Sequence, residues 1–433
     1  MKHDLLETVE PLFSVLEQQN FLIAYSGGLD SHVLLHLMSR IPDIAVRAVH
    51  IDHGLQDVSP WWSRHCRDVC SGFGIPLERI SLNLDVPPGQ SIEAYARNKR
   101  YTAFSELLEP EEVLLTAHHQ NDQAETLLIQ LLRGAGGAGL ASMPMITGFS
   151  QGQHFRPFLN LSRAQLEAYA DHYDLSFVED TSNADIRFDR NFLRHQVLPQ
   201  FIERWPGSVA TLSRAAMLQG ETQRLLNSYV SQDLESMSGS VDGTLSVVSI
   251  LECQPERRRA LIRHWISDSG FRYPASKKLQ HIISDVFHAA EDATPLLKWE
   301  GAEVRRYRDD VYIMPPLSVH DIYQHFDWDI KENLLIESLG VKLEGKYLTS
   351  WSEVLHGTGK NLSVSFRQGG EVIKPAGSDK ALTLKHIFQQ FSVPPWMRGR
   401  IPLLFLGEEL IVVWGVCQVD PGTTTEISED PLH

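Results

Sequence analysis

Four cysteines in 433 residues, Cys66, Cys70, Cys253 and Cys417, are too few and too scattered for a disulfide framework. Cys66 and Cys70 lie one helical turn apart, but the spacing is not C-x-x-C and no second pair stands beside them. They read as buried or half-buried thiols rather than a metal or cluster site. No apolar run approaches the roughly 20 residues of a membrane span. The opening MKHDLLETVEPLF mixes acids, a histidine and a proline into its apolar residues, which no secretory h-region tolerates. No membrane partner and a cytoplasmic location are therefore expected. Repeats, heptads and low-complexity tracts are also missing.

Positive charge is short as well: 39 Lys and Arg face 55 Asp and Glu, a formal charge of −16, which taken whole argues against a nucleic-acid partner. Its distribution is uneven. Residues 256–308 carry eleven basic against seven acidic residues, 360–400 carry seven against two, and the last 26 carry no Lys or Arg. With a Debye length of about 8 Å at physiological salt, a phosphate backbone responds to the patch it lies on. Local basic faces stay open on this count, and so does an ordinary solvated surface.

The chain exceeds the roughly 250 to 300 residues at which one core stops growing, so several domains are expected. Strand-like runs FLIAY (21–25), IAVRAVHI (44–51), IPLERISL (75–82), EVLLTAHH (112–119) and LSFVED (175–180) alternate with helical patterns at 61–73, 91–108, 121–133 and 162–173. Ser162 and Gln165 form a capping box for the last helix. Alternation of this kind means an α/β domain with a doubly wound parallel sheet, whose ligands sit beyond the carboxyl ends of the strands. From about residue 207 the pattern turns helical, at 207–231 and 255–269, with SMSGSVDGT (236–244) as a flexible break. After MPPLSVHD the runs are short and glycine-punctuated, as in a small β-rich (α+β) domain. The expected division is 1–206, 207–318 and 319–433.

Between the first strand and the next helix stand Ser26, Gly27, Gly28, Leu29, Asp30 and Ser31. Turn amides and a helix N-terminus there make an anion cradle, and the glycines let a ligand approach the backbone. The lysine of G-x-x-x-x-G-K-[ST] is absent, and so is G-x-G-x-x-G, which excludes a P-loop of the Walker type and a dinucleotide turn. A plain helix cap is the competing reading. Asp30 is out of place beside phosphates unless a cation such as Mg²⁺ lies between them.

Further along, His118, His119, Asp122, Glu125 and Thr126 cluster where a strand runs into a helix. Asp122 and Glu125 share a face that could hold an ammonium group or simply compensate the helix N-terminus. Arg97, Arg100 and Tyr101 share a helical face suited to phosphate or to solvent. RGAGGAGL (133–140) suits either a closing loop or a helix C-cap and tight connection. RFDRNFLR (187–194) alternates arginine with phenylalanine, as base stacking and phosphate contacts would use, or as a salt-bridged helix start would.

SGGLDS resembles the PP-motif of the N-type ATP pyrophosphatases, enzymes of the adenine nucleotide alpha hydrolase-like fold that split ATP into AMP and pyrophosphate. HIDHGL (50–55), IEAYARNKRY (92–101), AHHQNDQAETLLIQLLRGAGGAGL (117–140) and EDTSNADIRFDRNFLRHQVLP (179–199) follow it in the order and spacing of the tRNA(Ile)-lysidine synthase family. SFRQGGEVIKPAGSDKALTLKHIFQQFSVPPWMRGRIPLLF (365–405) resembles that family's C-terminal domain, so the likeness runs through essentially the whole chain. The family pattern H-H-x-D-D-Q-x-E-T is met except at Asn121, where the first aspartate is replaced, which puts a second acidic or metal-binding role at 121 in question.

The resemblance implies a carbon–nitrogen ligase that uses ATP and Mg²⁺ to attach free L-lysine to C2 of the wobble cytidine of a CAU-anticodon isoleucine tRNA. It implies ATP binding by residues 26–31, metal binding by Asp30, catalytic roles for Asp30, Arg100, Asp122 and Glu125, and lysine held by Asp122 and Glu125. Contacts to tRNA would come from Arg97, Arg187, Arg190, Arg194, Arg367 and Lys374. The oligomeric state stays open, a homodimer included. Two other readings remain at this point: a sibling enzyme such as a tRNA thiolase or an amide-forming synthetase, and a non-catalytic, nucleotide-sensing tRNA-binding protein. Asp30→Ala is expected to abolish pyrophosphate release while leaving the circular dichroism spectrum of the folded chain unchanged.

Overall fold

The computed structural model describes residues 5–52, 59–82, 85–87, 89, 92–290, 293–351, 362–378 and 380–420. The HIDHGL block is therefore described only as far as Asp52. The chain divides into two compact units, 1–227 and 228–433.

In the first unit the strands are β1 (Asn20–Ala24), β2 (Ala45–Asp52), β3 (Leu77–Ser81), β4 (Val113–Leu115), β5 (Ile146–Phe149) and β6 (Gly152–Phe155). The helices between and around them are α1 (Leu5–Phe13), α2 (Leu29–Met38), α3 (Ser59–Gly72), α4 (Ile92–Leu107), α5 (Gln120–Leu132), α6 (Gly137–Leu140) and α7 (Arg163–His172). The strands form one sheet in the order β3-β2-β1-β4-β6-β5, parallel except for β5, which returns antiparallel against β6.

β1 is central, and its residues alternate between two cores as a period of two requires. Phe21 and Ile23 pack with Val33, Leu34, Leu37, Cys66, Phe155 and Leu166 under α1, α2, α3 and α7. Leu22 faces the other way, onto Val49, Phe104, Leu108 and Leu114 under α4. Burial on both faces explains why FLIA reads as a solid apolar run rather than an alternating one.

Two expectations change here. LSFVED (175–180) is not a strand: it lies outside the sheet and touches the β1–α2 turn through the Val178 N–H, which donates to the Gly27 carbonyl at 2.9 Å. The place beside β4 is taken by the unforeseen hairpin β5–β6, because β6 pairs in parallel with β4. At Gly152 any side chain would run into the Glu112 backbone carbonyl, so this glycine permits the close approach of the hairpin.

The second unit has two parts. Its first packs the helices Val247–Glu252, Pro255–Asp268 and Ser276–His281, the last continuing as a π turn over Ile282–Phe287, against a four-stranded antiparallel sheet. That sheet, made by Leu245–Ser246, Leu296–Trp299, Ala302–Tyr307 and Asp310–Met314, was not foreseen in the helical middle. SMSGSVDGT is tied down rather than loose: Asp310 accepts from the Ser240 N–H at 2.6 Å, the Ser240 hydroxyl at 2.7 Å and the Thr244 hydroxyl at 2.9 Å. The second part is β-rich as expected, with a five-stranded antiparallel sheet and the helix Leu384–Gln390. No helix among the described residues is long and apolar enough to cross a membrane.

The strand order decides where a ligand goes. The chain moves outward from β1 to β2 and β3 and then returns to β4 on the other side, so the carboxyl ends of β1 and β4 flank the switch point. β1 runs into Ser26–Ser31 and β4 runs into His118–Asp122. In the first of these turns Gly27 has φ of 84°, and a Cβ there would fall 2.5 Å from Trp62 Nε1 and 2.7 Å from Cys66 Sγ. Gly27→Ala is expected to cost roughly 2 to 4 kcal/mol through the left-handed backbone and the overpacking, read as a lower urea midpoint.

Candidate active site at the β1–β4 switch point

The turn after β1 is held so that its amides face the crevice. The Trp62 indole N–H donates to the Ser26 carbonyl at 2.7 Å, and Val178 takes the Gly27 carbonyl. The Ser31 hydroxyl donates to the Gly28 carbonyl at 3.0 Å, lies 3.0 Å from the Ser26 hydroxyl and accepts the Ser26 N–H at 3.2 Å. α2 begins at Leu29 behind Gly28, with no side chain capping it. Its first-turn N–H groups have no partners within the helix. A glycine turn leading into a helix N-terminus that no side chain caps fits a polyphosphate.

The turn after β4 carries the acids. His119 caps α5: its Nδ1 accepts the Asn121 N–H at 3.2 Å, and the Asp122 carboxylate accepts the His119 N–H at 2.9 Å. With Nδ1 used as an acceptor, the ring hydrogen stands on Nε2, which faces Asp122 Oδ2 at 3.5 Å and Asp30 Oδ2 at 3.7 Å. Glu125 is fully buried and grips two arginines: Arg194 Nε at 2.7 Å and Nη2 at 3.0 Å, and Arg190 Nε at 3.1 Å. Arg194 Nη2 also reaches Asp122 Oδ1 at 3.2 Å, and Arg190 Nη2 donates to the Thr126 hydroxyl at 2.8 Å. Asp30 pairs with Arg163 at 3.1 Å. Three carboxylates at the switch point are thus matched by three guanidiniums.

The ionisation of these groups follows their surroundings. Burial pushes Asp30 up, against the opposing pull of His119 and Arg163. Burial also works to raise Asp122, but His119, His118, Arg190 and the His119 N–H together outweigh it and hold that carboxyl down at about 2. Glu125 is raised by burial, opposed by its hydrogen bond to Arg194. Asp122, depressed in the fold from the ordinary 3.8, therefore adds stability above that value, and the contribution is lost as the pH falls through about 2.

On the other side of β4 a chain of donors fixes His118. Arg156 can only donate, so its Nη2 gives a hydrogen to His154 Nδ1 at 2.9 Å. His154 Nε2–H then donates to the Thr116 hydroxyl at 2.8 Å, and that hydroxyl donates to His118 Nδ1 at 2.7 Å. His118 is left as a neutral Nε2–H tautomer. Burial pushes His118 down to about 3 and His154 to about 2, with the Arg156 and Arg97 charges adding to it.

The structure thus brings Asp30, Asp122, Glu125, Arg190 and Arg194 into one crevice, beside the turn of residues 26–31. Arg190 and Arg194, expected to contact tRNA, pair here with Glu125 and Asp122, as a fully buried carboxylate demands cationic partners. Arg97 and Arg100 lie exposed on α4, with the Arg97 guanidinium 5.0 Å from the Tyr101 ring centre. Arg187 is exposed and paired with Asp185 at 2.6 Å. In the second unit the Arg367 guanidinium lies 5.9 Å from the Phe388 ring centre, and Lys374 is exposed. Much of the basic excess at 256–308 is engaged internally: Arg257 on Asp233, Arg258 on the Ile250, Leu251 and Cys253 carbonyls, Arg305 on Glu303 and Arg306 on the Phe287 and Ala289 carbonyls. Sequence reasoning missed Arg163 and the pairing role of His119. LSRAQ carried no signal beyond its capping box, since the partner of Arg163 lies 133 residues away.

Asp30 also fits the charge of a divalent cation. No group of three or more potential ligands is present among the described residues. Mg²⁺ that arrives with a nucleotide needs only one or two protein carboxylates, the phosphates and water supplying the rest.

The turn of residues 26–31 lies at the switch point of a doubly wound sheet, and residues 1–201 match the PP-loop domain family, which makes this unit a PP-loop domain. Residues 245–312 match the TilS substrate binding domain and 362–428 the TilS substrate C-terminal domain. The chain is 41% identical over 408 residues to the tRNA(Ile)-lysidine synthase of Coxiella burnetii, covering 93% of this chain and 90% of that one. It is 38% identical to those of Methylococcus capsulatus, over 91% of both chains, and Serratia proteamaculans, over 94% of this chain and 93% of that one. The chain belongs to the tRNA(Ile)-lysidine synthase family, ATP-dependent ligases.

Arg194→Ala, which strips Glu125 of its bidentate partner, is expected to lower stability by at most about 3 kcal/mol, since Arg194 is partly solvated. Arg194→Lys should fall between that variant and the natural chain in urea unfolding.

Proposed function

We propose that this chain ligates free L-lysine to C2 of the wobble cytidine of a CAU-anticodon isoleucine tRNA, with ATP as co-substrate, and that it acts in the cytoplasm. The observation that carries the site assignment is the meeting of the 26–31 cradle with Asp30, Asp122 and Glu125 at one switch point. Residues 26–31 would hold the triphosphate and Asp30 would hold a Mg²⁺ ion, which when bound would supply positive charge against that developing on the phosphates. The cytosine O2 attacks the α-phosphorus and pyrophosphate leaves; the ε-amine of lysine then attacks C2 and AMP leaves. Arg100 on α4 contributes to holding the adenylate.

Lysine enters as an ammonium ion. Asp122, which shares Arg194 with Glu125, exchanges part of that contact for the incoming cation. Held down at about 2, Asp122 suits anchoring the ammonium and is a poor base for its proton. His118, neutral with its hydrogen on Nε2, serves as a donor rather than a base. We divide the chain as 1–206 for catalysis, 207–318 for a helical tRNA-binding domain and 319–433 for a C-terminal tRNA-recognition domain, where Arg367 and Lys374 join Arg97 and Arg187 in contacting tRNA.

A thiolase reading is disfavoured by the cysteines. Burial pushes the thiols of Cys66, Cys70 and Cys417 up to about 12, so these three stay protonated near neutral pH and are poor sulfur carriers. Incubation with Mg²⁺, ATP, lysine and the CAU-anticodon tRNA, followed by nucleoside mass spectrometry, is expected to show a lysine-bearing cytidine. Its absence beside an active control enzyme would reject the proposal.

A further inference from the structure

Arg163 is the first residue of α7, and three contacts place it. Ser162 caps the helix, with its hydroxyl receiving the Gln165 N–H at 3.4 Å and its own N–H donating to Gln165 Oε1 at 2.9 Å. The segment just before is bound to the start of α5 by the Gln120 N–H, which donates to the Leu161 carbonyl at 2.8 Å. The Arg163 N–H itself donates to Asn121 Oδ1 at 3.1 Å. Position 121 therefore works as a hydrogen-bond acceptor that docks α7 onto α5. An amide oxygen does this as well as a carboxylate oxygen, which accounts for asparagine standing where the family pattern has aspartate.

The side chain so placed reaches Asp30 from outside. Nη1 lies 3.1 and 3.4 Å from the two carboxylate oxygens, and Nε donates to Glu167 at 3.0 Å. Arg163 is about one-third exposed and Asp30 somewhat less, so the pair sits at the mouth of the crevice. Asp30 is the second residue of α2, in the same first turn whose amides line the phosphate cradle. The guanidinium thus stands beside both the carboxylate and the place a polyphosphate would occupy.

Two cations cannot share one carboxylate at full strength, and a polyphosphate bound at the turn that carries Asp30 would offer the displaced one a larger negative charge. We propose that Arg163 is a resident counter-ion of Asp30 that a divalent cation displaces, and that it then binds the pyrophosphate leaving group. As the bond from the α-phosphorus to the bridging oxygen breaks, its electron pair passes to pyrophosphate while the cytosine O2–phosphorus bond forms. The fork of Arg163 meets the charge that accumulates there. Before the nucleotide arrives, the resident pairing balances the charge of Asp30. The inference rests on the proposed role of residues 26–31 and Asp30 in binding Mg²⁺ and ATP.

The test uses the full-length chain without tRNA. Mn²⁺ binding in the absence of nucleotide is read by electron paramagnetic resonance, and inorganic pyrophosphate binding in the presence of Mg²⁺ by calorimetry. Arg163→Ala should bind Mn²⁺ about tenfold more tightly, a change worth about 1.4 kcal/mol, and pyrophosphate about tenfold more weakly. Arg163→Lys should leave Mn²⁺ affinity near that of the natural chain, because a charge still covers Asp30, yet lose pyrophosphate affinity with the fork. A side chain that only stabilises α7 would not move the two affinities in opposite directions. Unchanged or weaker Mn²⁺ binding in Arg163→Ala, or unchanged pyrophosphate affinity, overturns the inference. Asp30→Asn separates the two claims: if it leaves Mn²⁺ and Mg²⁺-ATP binding intact, the reading of the cradle itself fails. If it abolishes them while Arg163→Ala changes nothing, only the role of Arg163 fails.

Discussion

The crevice between β1 and β4 depends on the neutralisation of buried negative charge. Glu125 has no exposure to solvent, and an isolated carboxylate so placed would cost several kcal/mol. Arg190 and Arg194, four residues apart on a helix more than sixty residues downstream, remove that cost. The helix carrying them runs from Asp189 to Arg204 and opens into a π turn over Leu193–Val197, in the stretch that includes Arg194. Ala124, Leu198 and Val209 pack together beneath the pair, so an apolar contact and an ionic one fix the same junction.

From this balance follows the chemistry open to the site. Each carboxylate already has its cation, so ligands enter by exchange rather than by adding to unbalanced charge. An ammonium group bound at Asp122 would compete with Arg194, and a divalent cation bound at Asp30 would compete with Arg163. The histidines do not disturb the balance, since the run from Arg156 through His154 and Thr116 holds His118 neutral. Donors of fixed orientation and no charge stand beside groups whose charge must be controlled, as a reaction that moves phosphate and then an amine requires.

Several elements were legible because their causes are local. The run FLIA, buried on both faces, could be read from its unbroken apolarity, and the Ser162–Gln165 capping box from two residues three apart. The glycine turn and its anomalous acid were legible too, since Gly27 and Asp30 stand within one strand-to-helix connection. Other elements were not. LSFVED has strand composition but no neighbour to pair with, because β6 occupies the place beside β4. The hairpin ITGF–GQHF, with glycines and polar residues through it, shows its strand character only when paired. RFDRNFLR suggested RNA contacts from composition, whereas burial of Glu125 draws two of its arginines inward.

The sequence by itself determined the first four strands with the helices between them, the strand-to-helix turn at residues 26–31 and the family to which the chain belongs, because hydrophobic period, turn chemistry and motif spacing act over a few residues. Only the tertiary structure decided which cation serves which carboxylate. Arg163 meets Asp30 across 133 positions and Arg194 meets Glu125 across 69. Such partners are chosen by how the helices cover the sheet, and by the requirement that charge removed from water be matched where it is buried.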